Sequence, residues 1–180
     1  QNKRAMLNNT YLAAVHAAEK ADNYQIGYDA LDLSLNYGVT QKNGEYIRFR
    51  LMLTNNSVVK FLDAQKFDEA RKLIFSEMDA GVLSQSDLLK LYRSVTVKEC
   101  NLLYNQKEYK QAIEKTLDCL EYMPKDKVLV SNLKVYYMGY VDYLKTNAKP
   151  SEIKAVIAEA QKRYTNEKAF QDLTGESIPY

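Results

Sequence analysis

Tyr109-Lys110-Gln111-Ala112-Ile113-Glu114-Lys115-Thr116 is the stretch that decides the fold, because three other segments answer it. They run from Tyr24 to Leu31, from Phe67 to Ile74 and from Ile153 to Ala160. Their leading apolar residues, Tyr24, Phe67, Tyr109 and Ile153, stand at intervals of 43, 42 and 44 residues. Three residues on come Gly27, Ala70, Ala112 and Val156; eleven on come Leu35, Met78, Leu120 and Tyr164. Offsets of this kind trace one face of an α-helix, and a fixed period of this length signals a repeat architecture.

Working outward, each of these helices is preceded by a longer apolar helix and a short polar joint. The leading helices are predicted over about 3–21, 45–64, 85–104 and 127–144. The joints are Asp22-Asn23, Gln65-Lys66, 105–108 and 145–150, and the breakers between pairs lie at 36–44, 79–84 and 123–125. Ser84 or Ser86 suits the N-cap of the fifth helix, and Pro150 suits the first turn of the eighth. Several leading helices are apolar on more than one face. Leu129, Leu133, Tyr136, Tyr137, Tyr140, Val141 and Leu144 show this in the fourth, as a helix wedged between two neighbours requires. A ninth helix from Asn166 to Thr174, capped by Asn166 and ended at Gly175, is expected to cover the end of the stack with Ala169, Phe170 and Leu173. The expectation is an all-α chain of about four antiparallel helix pairs in one domain, 1–180. Its repeats fall near 3–37, 45–79, 85–123 and 126–165, followed by a cap at 166–175.

Composition agrees with long regular elements. The 180 residues include only 6 Gly, 3 Pro and no Trp, beside 15 Tyr. Net charge is +2, with no basic face or tail, which argues against a nucleic-acid partner or a membrane surface. No stretch approaches the roughly 18 apolar residues of a membrane helix. A start at Gln1 without Met leans toward an exported, processed product, with a cytoplasmic one as the alternative.

From Leu103 to Glu114, continuing to Cys119 and Pro124, the chain resembles the second half of a tetratricopeptide repeat (TPR). That pattern has an aromatic residue, Ala three later, a small residue seven after it and Pro five further on. Tyr109, Ala112, Cys119 and Pro124 occupy those positions. The stretch from Phe61 to Ala70 is similar, but Glu77 replaces the small residue and no Pro follows; the first repeat has Tyr24, Gly27 and Ser34, and the fourth keeps only the apolar face. The period of 42 to 44 is longer than the family's, roughly 34, and also suits HEAT-type repeats.

The resemblance implies a right-handed α-α superhelix (solenoid) whose groove is lined by the first helix of each pair. It places Gly27, Ala70 and Ala112 where paired helices cross closely, and Cys100 and Cys119 at facing small-residue positions of the third pair, a placement compatible with contact and even with a disulfide. Carried over residue by residue, the groove takes Asn55, Val59, Leu62 and Asp63 from the second repeat and Val97, Asn101, Tyr104 and Asn105 from the third. Tyr136 and Tyr140, with Tyr143 at i, i+4 and i+7, read first as filling between pairs and second as an aromatic wall of the groove.

No residue pattern points to chemistry. His16 is alone, without a nucleophile motif, and reads as a helix-surface residue. Two Cys and one His do not make a zinc site, so the Cys read as small apolar residues. Asp29 and Asp32 read as solvated helix charge, and the triplets at 8–10 and 55–57 as chance matches to a glycosylation sequon. The expectation is therefore a non-enzymatic scaffold without cofactor or metal, binding a protein or peptide. The alternative is a ligand-binding sensor or glycan-uptake domain with a Tyr-rich pocket near Tyr136, Tyr140 and His16.

Overall fold

A computed structural model describes residues 2–21, 23–147 and 149–173. Among these residues regular structure is helical throughout, with no strand. The helices are α1 (Asn2–Ala21), α2 (Tyr24–Leu35), α3 (Gly44–Asp63), α4 (Phe67–Ala80), α5 (Gln85–Asn105), α6 (Tyr109–Tyr122), α7 (Lys127–Thr146), α8 (Pro150–Arg163) and α9 (Lys168–Gln171). Consecutive helices pack on one another, and none is long and apolar enough to cross a membrane.

Polar side chains start the helices where the sequence places them. Asn23 accepts from the Gln25 amide at the head of α2, and Asn43 from the Glu45 and Tyr46 amides at the head of α3. Asp126 accepts from the Val128 and Leu129 amides of α7. Ser84, not Ser86, caps α5, its hydroxyl accepting from the Asp87 amide at 3.2 Å. These bonds help to satisfy first-turn amides that lack the usual carbonyl four residues back, the Asp87 amide being shared with the Ser84 carbonyl at 3.1 Å. The ninth helix is shorter than expected. It follows Glu167 rather than an Asn166 cap and has no side-chain cap bond; its expected end at Gly175 lies outside the described residues.

The joints repeat more strictly than the sequence alignment does. In each of four joints a backbone amide reaches the carbonyl five residues back: Asn23 to Ala18, Lys66 to Phe61, Glu108 to Leu103 and Lys149 to Leu144. These amides stand 43, 42 and 41 residues apart. Gln65 and Lys107 hold the left-handed backbone that such a helix ending needs, with φ of 56° and 65°. The joints correct the fourth register by three residues. Ile153, rather than Val156, stands four after its joint amide, where Gly27, Ala70 and Ala112 stand in the other helices. Eleven after come Ser34, Glu77, Cys119 and Ala160, so the fourth helix keeps the small residue that the sequence spacing had hidden.

The chain divides into two compact units, 1–95 and 96–180, with the boundary inside α5. The first unit's core joins Tyr11, Val15 and Ala18 of α1 to Tyr28 and Leu31 of α2 and to Tyr46, Phe49 and Leu53 of α3. Gly27 makes room there: a Cβ at that position would lie 2.6 and 2.9 Å from the Leu53 methyls and 3.3 Å from Ala18 Cβ, so Leu53 would have to shift. The second unit's core runs from Cys100 through Ala112 and Ile113 to Leu133, Tyr136, Tyr137 and Tyr140, and on to Ile153, Ala160, Tyr164 and Phe170. Cys100 and Cys119 are both buried thiols with no disulfide between them. The Cys100 thiol donates to the Ala112 carbonyl at 3.4 Å, the same carbonyl that takes the Thr116 hydroxyl at 2.7 Å, which brings α5 against α6.

Candidate functional site

In the second unit five tyrosines form a connected chain of rings. Tyr104 meets Tyr109 edge-on with centroids 5.1 Å apart and meets Tyr136 at 5.6 Å; Tyr109 stacks on Tyr140 at 6.1 Å and lies 5.5 Å from Tyr143. Helices α5, α6 and α7 contribute to it, and Gly139 of α7 makes the room. A Cβ at 139 would lie 2.7 Å from Tyr104 Cε2 and 3.0 Å from Tyr109 Cε1. Gly inside a helix costs about 1 kcal/mol relative to Ala, so its presence marks a close approach. Nothing in the sequence sets Gly139 apart from the other five glycines.

The phenol groups point in two directions. Tyr136 donates to Asn101 Oδ1 at 3.1 Å, on the α5 side. Tyr137 donates to Glu159 at 2.6 Å and Tyr140 donates to Glu152, both on α8. Burial pushes all three phenols above their ordinary range; the Glu159 and Glu152 carboxylates push Tyr137 and Tyr140 further the same way. These hydroxyls are held neutral as donors. On the α8 side a cavity of about 300 Å³ is bounded by Ile113, Leu117 and Val156 and rimmed by Lys110, Glu114, Glu152 and Glu159. Nothing in the sequence marks Glu152 and Glu159 as partners of tyrosines, because pairing 12 and 22 residues away leaves no local signature.

Of the residues read as a groove, the structure brings Asn101, Tyr104 and Tyr136 into one contact set. Asn101 and Asn105 are exposed, Val97 and Tyr104 half-buried. Tyr136 and Tyr140 are buried, 3% and 8% exposed, so they pack between helices and present little ring face to solvent. On α3, Asn55 is half-buried, Val59 is 55% exposed and Leu62 is buried. His16 is exposed on α1, 3.5 Å from Glu19. Ser57 and Thr10, within the sequon-like triplets, sit inside helices and donate to the carbonyl four residues back.

In the first unit a polar network replaces the small residue at position 77. Arg50 of α3 donates to Glu77 of α4 twice, Nε to Oε2 at 2.7 Å and Nη2 to Oε1 at 3.0 Å. Its Nη1 donates to Asp32 Oδ1 at 3.0 Å and to Tyr46 OH at 2.8 Å, while Tyr46 donates to Asp32 at 2.6 Å. Burial works against the Arg50 charge, but the Glu77 bonds and charge, with Tyr46 and Asp32, raise its pKa above the ordinary value. Burial and the Asp32 partner push Tyr46 up to about 12. Asp32, read from sequence as ordinary surface charge, thus joins the exposed end of a three-helix clamp whose buried pair is Arg50 and Glu77. A carboxylate at a position that takes small residues was the one sequence signal for it. Among the described residues no group of three or more His, Cys, Asp or Glu is placed to hold a metal ion.

No family model matches the sequence, and neither a curated protein nor a solved structure does.

Proposed function

We propose that this protein is a non-enzymatic, TPR-like scaffold whose leading helices line a groove that binds a protein or peptide segment. In that reading about four helix pairs repeat along the chain as the right-handed solenoid that the resemblance implies. One observation carries it: within each unit the leading helices lie against each other, not only against their own partners. In the first unit Arg48 of α3 donates to Asn8 of α1 at 2.8 Å, and Asn56 donates to Glu19 at 2.7 Å. In the second, Tyr136 of α7 reaches Asn101 of α5. Stacked hairpins need this adjacency, because each pair buries its apolar face against the next. Exposed apolar groups stand on these helices: in the first unit Val59 of α3, 55% exposed and one turn from the half-buried Asn55, and in the second Val135 of α7, 50% exposed. Such a surface suits the backbone and small apolar side chains of an extended peptide.

Selection from a random peptide library, with the folded chain as bait, tests this. A genuine groove yields peptides whose Kd rises at least about tenfold, or ~1.4 kcal/mol, in Val59→Arg or Asn101→Arg. The same peptides are indifferent to Lys72→Ala and Lys162→Ala, which sit exposed on α4 and α8. Peptides that respond to the second pair and not the first would move the binding face elsewhere and refute the groove.

A further inference from the structure

The cavity beside Tyr137 and Tyr140 lies between α6 and α8, the trailing helices of the third and fourth pairs, and so apart from the groove proposed above. Its floor is apolar, with Ile113 and Leu117 one turn apart on α6 and Val156 on α8. Along α8, Glu152, Val156 and Glu159 fall at i, i+4 and i+7 and share one face. The helical rise sets the two glutamates about 10 Å apart, with Val156 between them. Each carboxylate accepts from one phenol, Glu152 from Tyr140 and Glu159 from Tyr137. A neutral phenol orients a carboxylate without cancelling its charge.

No cation is held tightly against either glutamate. Lys149 comes within 3.9 Å of Glu152 and Lys110 within 4.0 Å of Glu114, but all four side chains are more than a third exposed, where water and salt weaken such contacts. Arg163 acts on the Tyr137 hydroxyl and makes no ion pair with Glu159 among the described residues.

The same seam is hollow in the first unit, where a cavity of about 410 Å³ lies between α2, α3 and α4. Counted from the joint amides, Tyr28, Glu69 and Leu73 line it at the positions that Ile113, Glu152 and Val156 hold in the second unit. A hollow at one place in two repeats follows from how trailing helices pass each other, not from one ill-fitting side chain. Its lining differs between the two. Ser76 stands where the second unit has Glu159, and Lys60 and Lys66 accompany Glu69, so only the second cavity has a carboxylate at each end of an apolar floor.

We propose that the second-unit cavity binds a linear aliphatic diammonium ion, with one ammonium at Glu152, the other at Glu159 and the alkyl chain along Val156, Ile113 and Leu117. Charge and shape select this class. A single cation satisfies one carboxylate and leaves the other, an uncharged apolar molecule meets neither, and an anion is repelled by both. At about 300 Å³ the cavity is at the small end of ligand sites and suits a narrow chain.

Calorimetric titration of the folded chain at about 0.15 M salt, which screens exposed charges, tests this with cadaverine as the ligand. The comparison is n-pentylamine, the same alkyl chain with one ammonium. Cadaverine is expected to bind saturably, one per chain, and at least about tenfold more tightly than n-pentylamine. Glu152→Gln and Glu159→Gln each keep an oxygen for the phenol and should each weaken cadaverine by about tenfold or more, with helix content unchanged by circular dichroism. Glu69→Gln, at the matching place in the first unit, should leave binding unchanged. The comparison of the two amines needs no variant and decides by itself if one fails to fold. No saturation by about 10 mM, equal binding of n-pentylamine, or indifference to both second-unit variants would overturn the proposal.

Discussion

Replacing Arg50 by Met tests the clamp that holds α2, α3 and α4. The Arg50 and Glu77 side chains are 11% and 5% exposed, so both charges are nearly out of water and depend on each other. Met fills the stem volume but removes both donors that face Glu77, at 2.7 and 3.0 Å, and leaves the carboxylate buried without them. Stranding one partner of a buried ion pair costs about 3–5 kcal/mol. Loss of the guanidinium from above the Tyr28 ring, 5.4 Å away, adds to this. Asp32 is 52% exposed and keeps Tyr46, so it contributes little. With a urea dependence of about 1–3 kcal/mol per molar, the unfolding midpoint of Arg50→Met should fall by at least about 1 M. The double variant Arg50→Met with Glu77→Leu removes both charges together, and apolar replacement of a whole buried pair is often nearly neutral. It should therefore be more stable than Arg50→Met alone, with a coupling of at least about 2 kcal/mol. Urea melts followed by circular dichroism on the four species of this cycle give the answer. Additive losses, or a single variant that costs under about 1 kcal/mol, would show that the Glu77 carboxylate does not depend on Arg50.

Two further outcomes are expected. Ala112→Leu and Gly139→Leu both force a side chain into closed space, Ala112 being fully buried and Gly139 lying against two tyrosine rings. Each should destabilise the second unit by about 1–3 kcal/mol, the helix-propensity gain at 139 offsetting part, and unchanged urea midpoints would refute the packing. Stability should also fall in alkali. Burial raises Tyr46 and Tyr164 to about 12 from 10.0, so in that window the unfolded chain has released protons that the folded chain retains. Folding is thus favoured fully below about pH 10 and loses this contribution as pH rises through about 12. Tyrosinate absorbance should therefore appear together with loss of helix; smooth ionisation of these phenols within an intact fold would count against their burial.

Helix positions were legible because their causes are local: a Ser at 84 to cap α5, a Pro in the first turn of α8, and apolar faces at helical spacing. The caps at Asn23, Asn43 and Asp126 act just as locally but read from the sequence only as joints and breakers, or not at all. The fourth register was misread by three residues because Ile153 and Val156 are both apolar, and side-chain type alone cannot choose between two acceptable faces. The backbone bonds of the joints decide it.

The sequence by itself determined that the chain is helical, how its helices alternate long and short, and where most of them begin. Each of those properties depends on residues within a turn or two of one another. Only the tertiary structure decided that Glu77 is a clamp partner rather than a defect in the repeat, that Gly139 is room for two rings, and that Tyr136 and Tyr140 face opposite ways. These depend on which side chains meet from positions 12 to 35 residues apart. Pairing at that distance is set by how whole helices pack, and a period in the sequence says which faces are apolar without saying which residues they meet.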